Sequence, residues 1–363
     1  YGVAGDTVKF GLTYLVWFPL SVTLGSWLTG YLFSNAYHQM RGLTLPALLG
    51  QRFDERTRLV VMLSNMIYII FVFVIGIYTL SMLIRAVSPS LSMLQAAVIS
   101  FCVCIGTVAF SGILGASKTN MIHNVVLMAA FLLVFILMYF VVGGYQKAFE
   151  EMTVILPMVE NSNLAYLSWI SPIGLGWGVI GQILLAKAGR LGGISAVSNL
   201  AASCGTKKEA YWAFIYAGII SGLIAFLSCS VGIFTAAYLG NRIVDLPIYS
   251  SIGYAVGQYN PVISGIFLAA LSAAIVSTFS SLSVSFSSIF VEDILKRLFH
   301  IPQSIERSLY PASLIVFSLL CTVYVVVVGI EDIMPFVFST AYPCTIPTTL
   351  VALFGICLLY TSD

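Results

Sequence analysis

Nine hydroxyl side chains fall within the stretch LSAAIVSTFSSLSVSFSSIFVEDILKR (residues 271–297), in a chain that is 60% hydrophobic. On a helix turning by about 100° per residue, Ala274, Ser277, Thr278, Ser281, Ser285 and Ser288 share one stripe. Ser272, Ser280, Ser283 and Ser287 form a second stripe, nearly opposite. Serine permits close helix approach and bonds back to a carbonyl one turn earlier, which accounts well for the second stripe. The first stripe offers chemistry too. The carbonyl of Ala274 sits one turn before the hydroxyl oxygens of Ser277 and Thr278. Three neutral oxygens at that spacing can begin a cage for a small hard cation such as sodium. A cage without a carboxylate binds weakly enough to let its ion go. Helix packing and ion binding both remain open on this pattern alone.

Five other residues stand out as candidate solute-facing groups inside apolar runs: Asn65, Tyr68, Trp177, Gln182 and Tyr342. Each also has a packing reading: an asparagine bonding a neighbouring helix, an aromatic ring filling a core or anchoring at an interface. No Asp or Glu lies mid-run, so a carboxylate proton relay and a strongly cationic solute are both disfavoured. The three histidines, His38, His123 and His300, are scattered near the ends of the runs. The seven cysteines show no metal-ligand or disulfide spacing. A membrane enzyme would want a buried Ser–His pair, paired Asp or a His–Glu metal motif, and the expectation is that the chain is not an enzyme.

The elements that must carry these residues are membrane helices. Only 8% of the 363 residues are charged, and the mean hydropathy is +1.01. Apolar runs of 20 or more residues recur between short polar breaks, without the period-2 alternation of a β-barrel. The chain reads as an all-α polytopic membrane protein with nine spans, near 10–33, 59–84, 91–115, 121–144, 165–187, 211–239, 262–290, 309–330 and 334–360. Twelve of the 16 Lys and Arg residues then fall on the side reached after the first, third, fifth and seventh spans. That side is expected to be cytoplasmic, with the first residue outside and the plasma membrane as the location. The fifth span contains WISPIGLGWGVIGQ, whose proline and glycines suit an unwound helix lining a cavity, or close helix packing. The ninth has Pro343 and Pro347 within STAYPCTIPTT, which suits a bend. The outer loop 240–261 is long and half apolar, and reads equally as a short helix over the outer mouth or as an interfacial loop.

The segment AALSAAIVSTFSSLSVSFSSIFVEDILK resembles the signature span of the sodium:solute symporter family. LTLPALLGQRFDERTRL (43–59) resembles that family's cytoplasmic passage through Thr44, Pro46, Leu49, Arg52 and Phe53. FSGILGASKTNMIHNVVL (110–127) and NLAASCGTKKEAYWA (199–213) resemble two more passages, with departures. Ser111 replaces a glycine, Asn120 and Asn124 stand near a usual Asp and Gln, and Ser203 and Cys204 stand near a usual lysine. The resemblance implies a leucine-transporter-type fold of two inverted five-helix repeats, the first helix of each broken.

On that mapping residues 1–363 are a single transmembrane transporter domain. Residues 1–144 are the remainder of the first repeat and residues 165–360 the second. The first core helix precedes Tyr1, and sequence is missing at the C-terminal end as well. The resemblance also implies that the Ala274 carbonyl and the Ser277 and Thr278 hydroxyls are half of a sodium site. The expected function is sodium-coupled uptake of a small organic solute by alternating access. Carriers of the same fold that use protons or no coupling ion, and a transport-inactive sensor, are the alternatives. The expected partners are Na+ as coupling ion, a small-molecule solute and the lipid bilayer, with no nucleic acid.

Overall fold

A computed structural model describes residues 2–40, 43–88, 90–108, 112–158, 176–178, 180–181, 184, 191–243, 255–256, 258, 260–299, 301–328 and 333–358. Among these there is no strand. The helices are α1 (Gly2–Gln39, kinked at Gly11), α2 (Leu45–Arg52), α3 (Glu55–Val87), α4 (Met93–Val108), α5 (Gly112–Val142) and α6 (Gly144–Ile155). They continue with α7 (Ser195–Ala202), α8 (Lys207–Leu239), α9 (Pro261–Ser288), α10 (Gln303–Val328) and α11 (Ile333–Ala352). Two π-helical segments, Ile289–Leu295 and Leu353–Leu358, follow α9 and α11.

Six described helices are long and apolar enough to cross a bilayer: Phe10–Gln39, Glu55–Arg85, Asn120–Val142, Lys207–Ile243, Pro261–Leu298 and Ser308–Val328. They coincide with the first, second, fourth, sixth, seventh and eighth expected spans. The third and ninth correspond to shorter apolar helices, Met93–Gly106 and Pro343–Gly355. Most of the expected fifth span, 165–187, lies outside the described residues, as does most of the loop 240–261. Within the fifth span Gly176 has φ 77°, a left-handed conformation that a glycine takes without strain.

The chain forms two compact units, each drawing on separated parts of the sequence. The first comprises Tyr1–Ser26, Asn124–Lys187 and Tyr216–Leu271. Its rings gather on Phe234, whose centroid lies 4.8 Å from Tyr145, 5.8 Å from Tyr139 and 5.9 Å from Phe135. The Tyr145 hydroxyl meets Ser230 Oγ at 2.7 Å, and Ser230 Oγ donates to the Phe226 carbonyl at 2.8 Å. Each polar tip therefore ends on a partner, as a group shut away from water requires.

The second unit comprises Trp27–His123, Ala188–Ile215 and Ser272–Asp363. Phe73 of α3 packs on Phe279 of α9 and Phe317 of α10, and Phe317 stacks on Phe286 at 3.8 Å. A second cluster joins Phe33 and Tyr37 of α1 to Leu45 and Leu49 of α2, Val61 of α3 and Ala201 of α7. Thr44 caps α2 through its side chain, and Asp54 caps α3. Bonds from the Thr57 side chain and backbone hold the Asp54 carboxyl below the usual carboxylate range.

Before α7, the turn at Gly192–Gly193 presses on α11. A methyl group at Gly193 would stand 2.2 Å from the Thr345 carbonyl oxygen and 2.7 Å from the Thr349 hydroxyl. Backbone cannot yield to that approach as a side-chain tip could. Gly193→Ala is expected to destabilise this unit by about 1–3 kcal/mol. Thermal unfolding in detergent, compared with the wild-type protein, checks this.

Candidate functional site

The hydroxyl stripes of α9 build the site from local geometry. Ser277 Oγ donates to the Ala274 carbonyl at 2.8 Å, and Thr278 Oγ1 donates to the same carbonyl at 3.1 Å. The three oxygens singled out in the sequence therefore converge. Ser277 is half-buried and Thr278 exposed, so the cluster opens outward from the helix and is not sealed in packing. The two hydroxyls donate and so keep their lone pairs free, and their rotation releases the Ala274 carbonyl without moving backbone. The donor set is neutral, all oxygen and hard, which fits sodium better than a softer metal. Among the described residues no group of three or more His, Cys, Asp or Glu forms a metal cluster.

Further along α9 the back-bonding continues, Ser281 Oγ to the Ser277 carbonyl at 3.4 Å and Ser285 Oγ to that of Ser281 at 3.1 Å. Asn120 of α5 adds a bridge that sequence reading did not assign. Its Nδ2 donates to Ser281 Oγ at 3.0 Å, and Ser280 Oγ lies 3.0 Å from its Oδ1. Ser280 also reaches the Ser277 carbonyl at 2.8 Å, so its one proton lies between two acceptors. The amide thus pins the serines one turn beyond Ser277 and Thr278. The departure of FSGILGASKTNMIHNVVL from the family pattern at this position was visible in the sequence, but its partners were not.

The candidate solute-facing residues separate. Asn65 is fully buried in α3. Its Oδ1 accepts from the Ser195 N–H at 2.8 Å and from Ser195 Oγ at 2.9 Å, and its Nδ2 donates to the Val61 carbonyl at 3.1 Å. Ser195 opens α7, and Ile194 at the cap position offers no side-chain bond. Asn65 therefore caps α7 from another helix. Tyr68 is buried in the cluster that includes Phe73 and Phe279. Trp177 is 70% exposed and meets Trp17 of α1 edge-on, with centroids 6.4 Å apart, while the Trp17 Nε1 is buried with no hydrogen-bond partner among the described residues. Gln182 and the side chain of Tyr342 lie outside the described residues. A cavity of about 570 Å³ is lined by Phe71, Phe286, Phe290, Phe317 and Tyr324 among others, with Ser313 bringing a hydroxyl. Such a lining suits hydrocarbon and offers little to a polar solute.

Residues 1–356 match the sodium:solute symporter family. The chain belongs to that family. It is 26% identical over 315 residues to the high-affinity proline transporter PutP of Bacillus subtilis (strain 168), covering 82% of this chain and 63% of that protein. The chain therefore spans less than two thirds of the length of this curated relative. A Na+-coupled sialic acid symporter, solved in a substrate-bound outward-open state, superposes with a TM-score of 0.73 at 19% identity, over 98% of this chain and 77% of that one. MhsT, solved with L-phenylalanine, gives 0.68 at 16% identity, over 98% and 84%. The fold is all-α and of the leucine-transporter type, and the family's members are membrane transporters, not enzymes.

Asn65 yields the prediction here. Asn65→Asp keeps the acceptor for both Ser195 bonds, whereas Asn65→Leu strands the first N–H of α7. The leucine variant is expected to lose about 1–3 kcal/mol of stability and the aspartate variant clearly less. Thermal unfolding measures the loss, and an unchanged KM for solute in Asn65→Asp confirms a capping role.

Proposed function

We propose that the protein takes up a small organic solute by sodium-coupled alternating access. The observation that carries this reading is the convergence of Ser277 and Thr278 on the Ala274 carbonyl. Three oxygens are fewer than a sodium ion needs, so other parts of the protein complete the shell. Loose, neutral ligation suits an ion that must arrive from one side and leave on the other. The twelve Lys and Arg residues grouped by the expected spans put the side that receives the ion in the cytoplasm, with Tyr1 outside. An inward potential of 100 mV then adds about 2.3 kcal/mol per charge moved to the drive for accumulation.

The solute is of a class that needs no buried counter-charge: neutral, zwitterionic or anionic. The named curated relative carries proline, which makes a zwitterionic amino acid the first solute to assay. Trp177 beside Trp17 is the solute-facing pair favoured by its position in the proline- and glycine-rich fifth span.

The test is uptake of labelled solute into proteoliposomes made with the full open reading frame. Uptake is expected to require a sodium gradient, and equal uptake in potassium would reject the coupling. Ser277→Ala and Thr278→Ala are each expected to weaken sodium activation by about tenfold or more, the loss of one ligand oxygen being worth about 1.4 kcal/mol or more. Thr278→Ser retains the oxygen and should stay near wild type.

A further inference from the structure

The carboxylates at the end of α9 take no part in the ion cluster, yet they are the most completely engaged charges in the second unit. Past Ser288 the helix widens into the π-segment Ile289–Leu295, a form that recurs at functional sites. Within it, two consecutive acids face different surroundings. Glu292 meets Lys296 at 2.9 Å and accepts from the Tyr310 hydroxyl, and Lys296 also meets Glu306 at 2.7 Å. Asp293 points inward, with its side chain wholly buried. Its Oδ1 accepts from Arg58 Nε at 2.9 Å and from Arg58 Nη2, and its Oδ2 accepts from Thr44 Oγ1 at 2.6 Å. The same Thr44 oxygen accepts from the Ala47 N–H at 3.2 Å and so caps α2.

We propose that Asp293 is a positioning residue for alternating access, a latch with one permanent and one releasable half. The idea rests on the transport reading above. Parting Arg58 from Asp293 would strand a buried charge, so the start of α3 and the exit of α9 stay joined. Parting Thr44 breaks one hydrogen bond and leaves the carboxylate on its guanidinium. α2 is the element the releasable half controls. It buries Leu45 and Leu49 against Phe33 and Tyr37 of α1, and Arg52 Nε at its far end donates to the Gly355 carbonyl at 3.0 Å. The Thr44–Asp293 bond belongs to the form closed on the cytoplasmic side and opens when that side admits water.

Three variants of the full open reading frame separate latch from cap. Thr44→Asp keeps an acceptor for the Ala47 N–H but sets a second carboxylate against Asp293. Thr44→Ser keeps both bonds. Thr44→Asn keeps an acceptor for the Ala47 N–H and offers its amide N–H to Asp293, leaving the Arg58 pair untouched. Two quantities are read: amide hydrogen exchange over 45–52 and 289–295, and the sodium concentration giving half-maximal uptake. Thr44→Asp is expected to speed exchange in both segments by about tenfold. It should also raise the half-maximal sodium concentration by about tenfold, with maximal rate within about twofold, because fewer molecules present the outward form. Thr44→Ser and Thr44→Asn should match wild type.

Unchanged exchange in Thr44→Asp overturns the latch. So does faster exchange without a shift in sodium dependence, since Asp293 would then be only a brace. A Thr44→Asn variant that is folded and monodisperse but behaves like Thr44→Asp overturns it too. Wild-type protein lacking sodium activation refutes the transport reading instead, and is told apart by the exchange data, which need no sodium.

Discussion

A polar group inside a bilayer has no water to fall back on, and the whole of α9 is shaped by that constraint. Nine hydroxyls and three acidic or basic side chains between residues 271 and 296 must each find a partner in the protein. The hydroxyls do so mainly at short range, by returning their protons to carbonyls three or four residues earlier. This local solution keeps the helix intact and lets it pack closely. It also concentrates oxygens wherever two hydroxyls choose one carbonyl, as at Ala274. The three-oxygen cluster there is therefore a by-product of ordinary hydroxyl satisfaction, and Thr278 leaves it exposed at that point. Ser283 marks the limit of the device, since its buried hydroxyl has no partner among the described residues.

Charge is managed by a different rule along the same helix. Mid-span oxygens are neutral, and the ionised groups wait for its last turns, where Glu292, Asp293 and Lys296 each find opposite charge. A carboxylate among Ala274, Ser277 and Thr278 would hold a cation tightly and slow its release. A neutral group in place of Asp293 would not hold Arg58. Separating the two lets one continuous helix carry a neutral oxygen cluster and a firmly attached charge together. Asn120 follows the same logic from α5, fixing Ser280 and Ser281 with an amide that adds no charge.

How much of this could be read from the residues depends on range. The six long helices follow from hydropathy, because burial in lipid is a property of composition over a window of about 20 residues. The convergence at Ala274 follows from helix pitch, since its members lie within one turn. Asn120 is separated from Ser280 by 160 positions, Asn65 from Ser195 by 130, and Thr44 from Asp293 by 249. Periodicity says which face a residue occupies but not which helix stands opposite. That is why Asn65, polar in an apolar run, reads as a solute contact or as a bond to a neighbouring helix, without naming α7 as its partner. The π-segment was hidden for another reason: nothing in IFVEDIL distinguishes five-residue from four-residue hydrogen bonding until packing selects it.

Three long-range polar contacts, made by Asn65 and Asp293, share a feature. Each joins a transmembrane helix to the start of another element: Asn65 to the first residue of α7, Asp293 to the cap of α2, and Arg58, itself in the first turn of α3, to Asp293. Helix starts carry unpaired N–H groups and a partial positive charge, so acceptors gather there at little cost. A bond to a helix start is also directional in its effect. It fixes where the element begins, and in α2 the far end is held separately, by Arg52 on the Gly355 carbonyl. Apolar packing around Phe73, Phe279 and Phe317 resists separation of the long helices. The short elements α2 and α7 join such bonds to buried apolar contacts, Leu45 and Leu49 in α2 and Ala201 in α7, so the polar bond sets where each element starts while the apolar side chains set which face it turns inward.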